Sequence, residues 1–157
     1  MAQSDVDRVW ELMKKISFCM LANWNGKELR SRPMYAHLKR NEDMIYFLTD
    51  VRHHKDDEIQ QYPQVCAAFA DPDGHYVSVS GPAAVLNDRA KIKELWSVSA
   101  KAWWDSADDP NIRVLQLIPE NAEYWDGPGK IVGTIKMVAA AVTNTRPDYG
   151  DNRKVAM

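Results

Sequence analysis

The sequence predicts an α+β domain in which six antiparallel strands close into a small barrel with helices at its periphery. Three observations point there. Runs rich in β-branched and aromatic residues alternate with hairpin-length turn signals: Asn25-Gly26, Asn41-Glu42-Asp43 and Pro72-Asp73-Gly74. Helical periodicity intrudes at only a few points, so strands pair with sequence neighbours rather than through crossover helices. The 157 residues suffice for one domain and one core without disulfide or metal staples. Closing the sheet removes exposed strand edges, which favours a barrel.

Each element has its own signal. Ser4 is a candidate N-cap with Asp7 three residues on, and Val6, Trp10, Met13 and Ile16 recur at helical spacing behind it. Ser17 to Asn23 reads as a buried strand. Asn25-Gly26 then predicts a two-residue type I′ hairpin, whose two central positions both need positive φ. The return strand runs from about Glu28 to Leu38. Pro33 inside it cannot donate to a ladder and marks an edge, a bulge or a ligand. Met44 to Thr49 is the third strand. A polar loop, Asp50 to His54, leads into a short helix that starts near Lys55 and stops at Pro63. Val65 to Ala70 is the fourth strand, and Tyr76 to Leu86 the fifth, broken by Gly81-Pro82. Asp88 caps a helix reaching Trp96, helical character returns from Ser99 to Trp104, and Ile112 to Ile118 is the sixth strand. Ala122 to Trp125 follows Glu120-Asn121, and Gly127-Pro128-Gly129 ends the sheet. Ile131, Ile135, Val138 and Val142 mark a final helix. Residues 1–145 thus form a single domain, and 146–157 are expected to be a loose charged tail.

Composition excludes several classes. With 20 basic and 22 acidic side chains the net charge is −2, so there is no basic excess for a dedicated nucleic-acid binder. No apolar run approaches the length that spans a bilayer. Cys19 and Cys66 show no CxxC spacing and make a poor disulfide framework, so a cytoplasmic home is expected.

Familiar catalytic patterns are missing. There is no GxSxG elbow, no HExxH and no cysteine pair, and the adjacent His53 and His54 point opposite ways if extended. GxGxxG and GxxxxGK[ST] are absent too. What remains is a dispersed set of cations and hydroxyls near strand ends. Arg30 and Arg32 share one face of a strand, Thr49 closes the next, and Lys55 begins a short helix whose N–H groups favour an anion. Converging, they would suit a phosphomonoester. Equally, the arginines can be rim charges, and Lys55 can pair with Asp56 or Glu58. Trp10, Trp96, Trp103 and Trp104 fit core or subunit packing, whereas Trp125, beside the Gly-Pro-Gly break, is a candidate ligand wall.

The segment Phe47-Leu48-Thr49-Asp50-Val51-Arg52-His53-His54-Lys55, an acidic short helix, Tyr62-Pro63 and Val65-Cys66-Ala67-Ala68-Phe69 resembles the flavin-phosphate segment of the pyridoxamine 5′-phosphate oxidase superfamily. Arg32-Pro33-Met34 and Glu123-Tyr124-Trp125-Asp126-Gly127 fall where that superfamily has matching pieces. The resemblance covers roughly residues 4 to 130 and is closest to the general stress protein 26-like branch of small bacterial FMN-binding proteins. It implies a split β-barrel, a homodimer, and FMN at the subunit interface. By position, Arg32 and Lys55 would hold the FMN phosphate, with Thr49 donating a hydroxyl and His54 as a weaker contact. Pro33 and Met34 would run beside the isoalloxazine, with Leu48 against it. Tyr76 would touch the ring, and Trp125 would approach it from the partner subunit.

One departure bears on activity. After Trp-x-Gly the true oxidases carry arginine and histidine side chains that grip the vitamin substrate, and Pro128-Gly129-Lys130-Ile131-Val132-Gly133 has neither. Oxidation of pyridoxamine phosphate is therefore not expected. Two readings stand: an FMN oxidoreductase using a small donor such as NAD(P)H and an unidentified acceptor, or a non-catalytic flavin-binding protein of the stress response. A deazaflavin fits the same barrel, while haem lacks a clear axial ligand.

Overall fold

The computed structural model describes residues 4–53, 55–127, 130–146 and 150–157; the side chains of His53, Lys55, Lys130, Ile131 and Val132 lie outside that description. In chain order the elements are α1 (Asp5–Ile16), β1 (Phe18–Trp24), β2 (Leu29–Tyr35), β3 (His37–Lys39), β4 (Met44–Asp50), α2 (Lys55–Gln61), β5 (Gln64–Ala70), β6 (His75–Leu86), α3 (Arg89–Leu95), β7 (Ile112–Leu117), β8 (Asn121–Asp126), α4 (Lys130–Thr143) and β9 (Asp151–Ala156). All strand pairs are antiparallel. The order is β2-β1-β5-β6-β7-β4-β3, with β8 on β6 and β9 on β8.

β6 makes the sheet curl. One of its edges follows β5 from Tyr76 to Pro82. The other pairs with β8 over His75–Ser80 and with β7 over Ala83–Leu86. The change of partner falls on Gly81-Pro82, where a Cβ on residue 81 would stand 1.9 Å from the Ile118 carbonyl oxygen. The strand is therefore continuous where the sequence predicts a break, and the pair marks a corner (a common use of glycine in strands). β2 and β4 approach one another without sharing a ladder, and this seam is the split of the barrel.

The barrel interior holds one core. Leu21 of β1, Phe47 of β4, Phe69 of β5 and Val79 of β6 meet Leu12 and Met13 of α1 and Ile59 of α2 there. Ser4 caps α1 by accepting from the Asp7 backbone N–H, and Asp88 caps α3 by accepting from Lys91. A second cluster lies on the other face of β4 and β7, where Tyr46, Ile112 and Val114 pack on Ile92 and Leu95 of α3.

The fold is the α+β split barrel the sequence predicts, with more strands. The long return strand is two strands, β2 and β3, and residues 121–126 form β8. The stretch read as a loose tail contains β9, held by its ladder to β8 and by Val155 packing into the main core. The β1–β2 turn spans Asn25–Glu28 rather than two residues, because the Asn25 side chain accepts from both the Lys27 and Glu28 N–H groups. Gly26 (φ 95°) alone takes positive φ there, not both central residues. Trp103, expected in core or subunit packing, is 77% exposed on the single chain and so is not a core residue, while its neighbour Trp104 packs on the second cluster.

Candidate functional site

Strand register sorts the candidate residues by face. Arg32 stands opposite Leu21 and Met34 opposite Cys19, both buried, so this pair lies on the barrel-interior side of β2. Pro33 stands opposite the exposed Met20, on the outer face. Along β4, Ile45 and Phe47 enter the main core, and Thr49, 6% exposed, continues that interior face. Arg32 and Thr49 thus face inward from the two strands that flank the split. Just beyond β4, α2 begins at Lys55. It is fixed by Ile59 in the core and by a 2.8 Å hydrogen bond from the Asn23 amide to Glu58.

The turn between β4 and α2 has a latch that sequence reasoning missed. Asp50, with a side chain only 3% exposed, accepts from the Arg52 backbone N–H and Nε at 2.8 Å each and from the Trp104 indole at 2.9 Å. The Arg52 hydrogen bonds hold its carboxyl far below the ordinary range, against the opposing effect of burial. An acid followed two residues later by a cation was visible in the sequence; the contribution of Trp104, 54 positions away, was not.

The remaining candidates lie elsewhere. Leu48 alternates away from Thr49 into the second cluster, beside Trp96 and Trp104. Tyr76 and Trp125 are directly opposite on β6 and β8, 47% and 38% exposed, and both lie on the outer face. Behind them, on the inner side, His75 Nδ1 lies 2.9 Å from Asp71 and its Nε2 3.4 Å from Asp126, which Arg8 also grips at 2.7 Å. Burial pushes the Asp71 carboxyl up, but hydrogen bonds from the His75 backbone and ring outweigh it and leave it below the ordinary value. This network fixes the end of β8 that carries Trp125. His54 and the Lys55 side chain lie outside the described residues.

Arg32 and Trp125 of one chain face opposite sides of the sheet, and β2 and β8 are four strand steps apart, about 19 Å along the curled sheet at ~4.8 Å per step. Among the described residues no cluster of side chains suits a metal ion, and no helix is long and apolar enough to cross a membrane.

Comparison with known proteins gives a consistent set. A family model described as "Pyridoxamine 5′-phosphate oxidase like" matches residues 4–148. General stress protein 26 of Bacillus subtilis (strain 168) is 36% identical over 93 residues, 55% of this chain and 64% of the relative. The match thus spans less than two thirds of that relative's length. Among solved structures, one assigned as general stress protein 26 from Jannaschia sp. CCS1 aligns with a TM-score of 0.75 at 23% identity, covering 96% of both chains. The general stress FMN/FAD binding protein of Xanthomonas citri aligns with a TM-score of 0.66 at 26% identity, covering 75% of this chain and 85% of its own.

Proposed function

Because the chain belongs to the pyridoxamine 5′-phosphate oxidase-like family, we propose that it is a flavoprotein that holds FMN at the split of its barrel, between two copies of itself. The observation that carries this reading is the placement of Arg32 and the buried Thr49 on the interior sides of the two strands at the split. A guanidinium, a hydroxyl and the lysine that opens α2 match the chemistry of a phosphomonoester. When bound, FMN would supply hydride or electron transfer between a small donor such as NAD(P)H and an acceptor.

The chain's own residues bind and orient. Arg32 neutralises the phosphate, Thr49 donates to it, and Lys55 and His54 complete the contact. Pro33 and Met34 run alongside the ring system. Tyr76 and Trp125 offer aromatic faces for stacking, and their separation from Arg32 makes a second copy their source. The outer face of the sheet supports that assembly, since it exposes Phe18, Met20, Trp24, Leu29, Tyr35, Tyr76 and Trp125. Cys19 faces the core, and Cys66 faces outward beside Ser78, so the two thiols cannot pair. This suits the cytoplasm.

Residues 128–133 contain one lysine and neither arginine nor histidine, which argues against pyridoxamine phosphate as substrate. The same absence of a substrate clamp favours a second reading, in which the protein holds FMN or a deazaflavin without turnover. Donor specificity separates the two. Reduction by one nicotinamide cofactor far faster than by the other, followed by reoxidation, supports the enzyme; equal, slow reduction by both supports the binder. The site itself is tested by Arg32→Ala with Lys55→Ala. The double variant should keep its far-ultraviolet circular dichroism and lose its flavin, and normal FMN content after purification would remove the phosphate clamp.

A further inference from the structure

We propose that α4 is an intersubunit clasp, crossing to a second copy of this chain and closing over that copy's β2 edge beside Arg32. The inference rests on the two-chain reading of the site and assigns the helix a part in it.

The helix itself supplies the first observation. Its only charged residues are Lys130 and Lys136. Ile135, Val138 and Val142, at i, i+3 and i+7, form one stripe and are 63%, 59% and 81% exposed. Among the described residues of the helix, the small Gly133 and Ala140, seven apart, are the buried positions. The helix therefore turns Gly133 and Ala140 inward and leaves Ile135, Val138 and Val142 to water, the reverse of a surface helix at rest.

The second observation is the tether. The chain leaves the sheet at Gly127 and rejoins it at Gly150, and a Cβ on Gly150 would stand 2.1 Å from the Asp126 carbonyl oxygen and 3.4 Å from the Gly127 Cα. Exit and return are thus one point, at the end of β8 and two residues past Trp125. If Trp125 of one copy stacks on a flavin whose phosphate sits at Arg32 of the other, α4 starts over that second copy's β2. The helix's own β2 is four strands away.

The third observation is the receiving surface. β2 is an edge strand in the hydrogen-bonding order, with Leu29 75% and Tyr35 43% exposed. The exposed large side chains of the outer sheet face come to on the order of 800 Å² per chain, and the α4 stripe adds roughly 500 Å². A stable interface buries about 800 Å² per partner, so the sheet face alone reaches that size and α4 extends it. A second copy is the occupant because the chain carries both complementary surfaces.

Complementation tests this. Val138→Glu with Val142→Glu places two carboxylates on exposed positions, where the monomer fold tolerates them. We expect the dimer dissociation constant, by sedimentation velocity, to rise at least tenfold and FMN retention to fall. Mixed with Arg32→Ala chains, which also lose FMN, this variant should regain about one FMN per mixed dimer, since one of the two sites combines an intact Arg32 with an intact α4. No regain on mixing means that α4 serves its own chain and overturns the clasp while leaving the dimer standing. Unchanged association and FMN content in the α4 variant overturn it too. A monomeric wild-type protein overturns the clasp and the two-chain reading together.

Discussion

Asp50 is almost entirely shielded from water, yet it remains a carboxylate because Arg52 and the Trp104 indole satisfy it. Its work is to hold the turn that leads from Thr49 to α2. Asp50→Ala should cost about 2–3 kcal/mol in chemical denaturation, since it orphans the Trp104 N–H and frees the Arg52 turn. A loss under 0.5 kcal/mol would show the latch to be incidental. His37 gives a pH dependence of known sign. Burial, with Lys39 nearby, pushes its pKa down from 6.5 to about 4. Between those values the unfolded chain takes up a proton that the folded chain refuses, so stability is full above pH 6.5 and falls as pH drops through the window. The loss should reach on the order of 2 kcal/mol by pH 4, and His37→Gln should flatten that part of the profile. Identical urea midpoints for the two proteins at pH 4.5, after matching at pH 7, would show His37 to be untitrated in that range.

At the scale of elements, the β6 corner decides whether the sheet curls. Gly81→Ala would drive a methyl into the Ile118 carbonyl, a backbone atom that cannot move aside cheaply, and should cost 3 kcal/mol or more, or prevent soluble expression. β9 makes the opposite case. Removing residues 151–157 should lower the melting temperature by several degrees, because Val155 and the ladder to β8 are lost. A truncated protein as stable as the full chain would mean that the strand is ornamental. These two elements also show what the sequence could convey. Gly81-Pro82 announced an irregularity in a strand by local chemistry, and the caps Ser4 and Asp88 were legible for the same reason. β9 was not legible. Asp151-Asn152-Arg153-Lys154 is polar because both faces of this edge strand are exposed there, only Val155 being buried, and its pairing with β8 is set by the return of the chain after α4. The site follows the same rule. Arg32 and Thr49 were found as residue types near strand ends, but the faces they share follow from the register of β2 with β1 and from the curl of the barrel. Likewise, the separation of Leu48 from Thr49 follows from strand alternation, whereas the second cluster that receives Leu48 needed α3 in place.

At the scale of the whole molecule, the split barrel is built within one chain, whereas the proposed flavin site draws on two. Arg32 and Thr49 sit at the split, Tyr76 and Trp125 sit three and four strand steps away on the opposite face, and that face exposes seven large apolar side chains, Phe18, Met20, Trp24, Leu29, Tyr35, Tyr76 and Trp125. The proposed second copy would account for all three, and the likeness to the Xanthomonas citri general stress FMN/FAD binding protein fits the proposal of a planar phosphorylated cofactor in the joint. The most direct measurement is the visible absorption spectrum of the freshly purified protein, with heat release and chromatographic identification of the chromophore. A flavin spectrum that yields FMN at about one per chain is the predicted result. A colourless protein that takes up no added FMN would contradict the account at its centre, because the clamp at Arg32 and Thr49 would then have no ligand of the kind its chemistry selects.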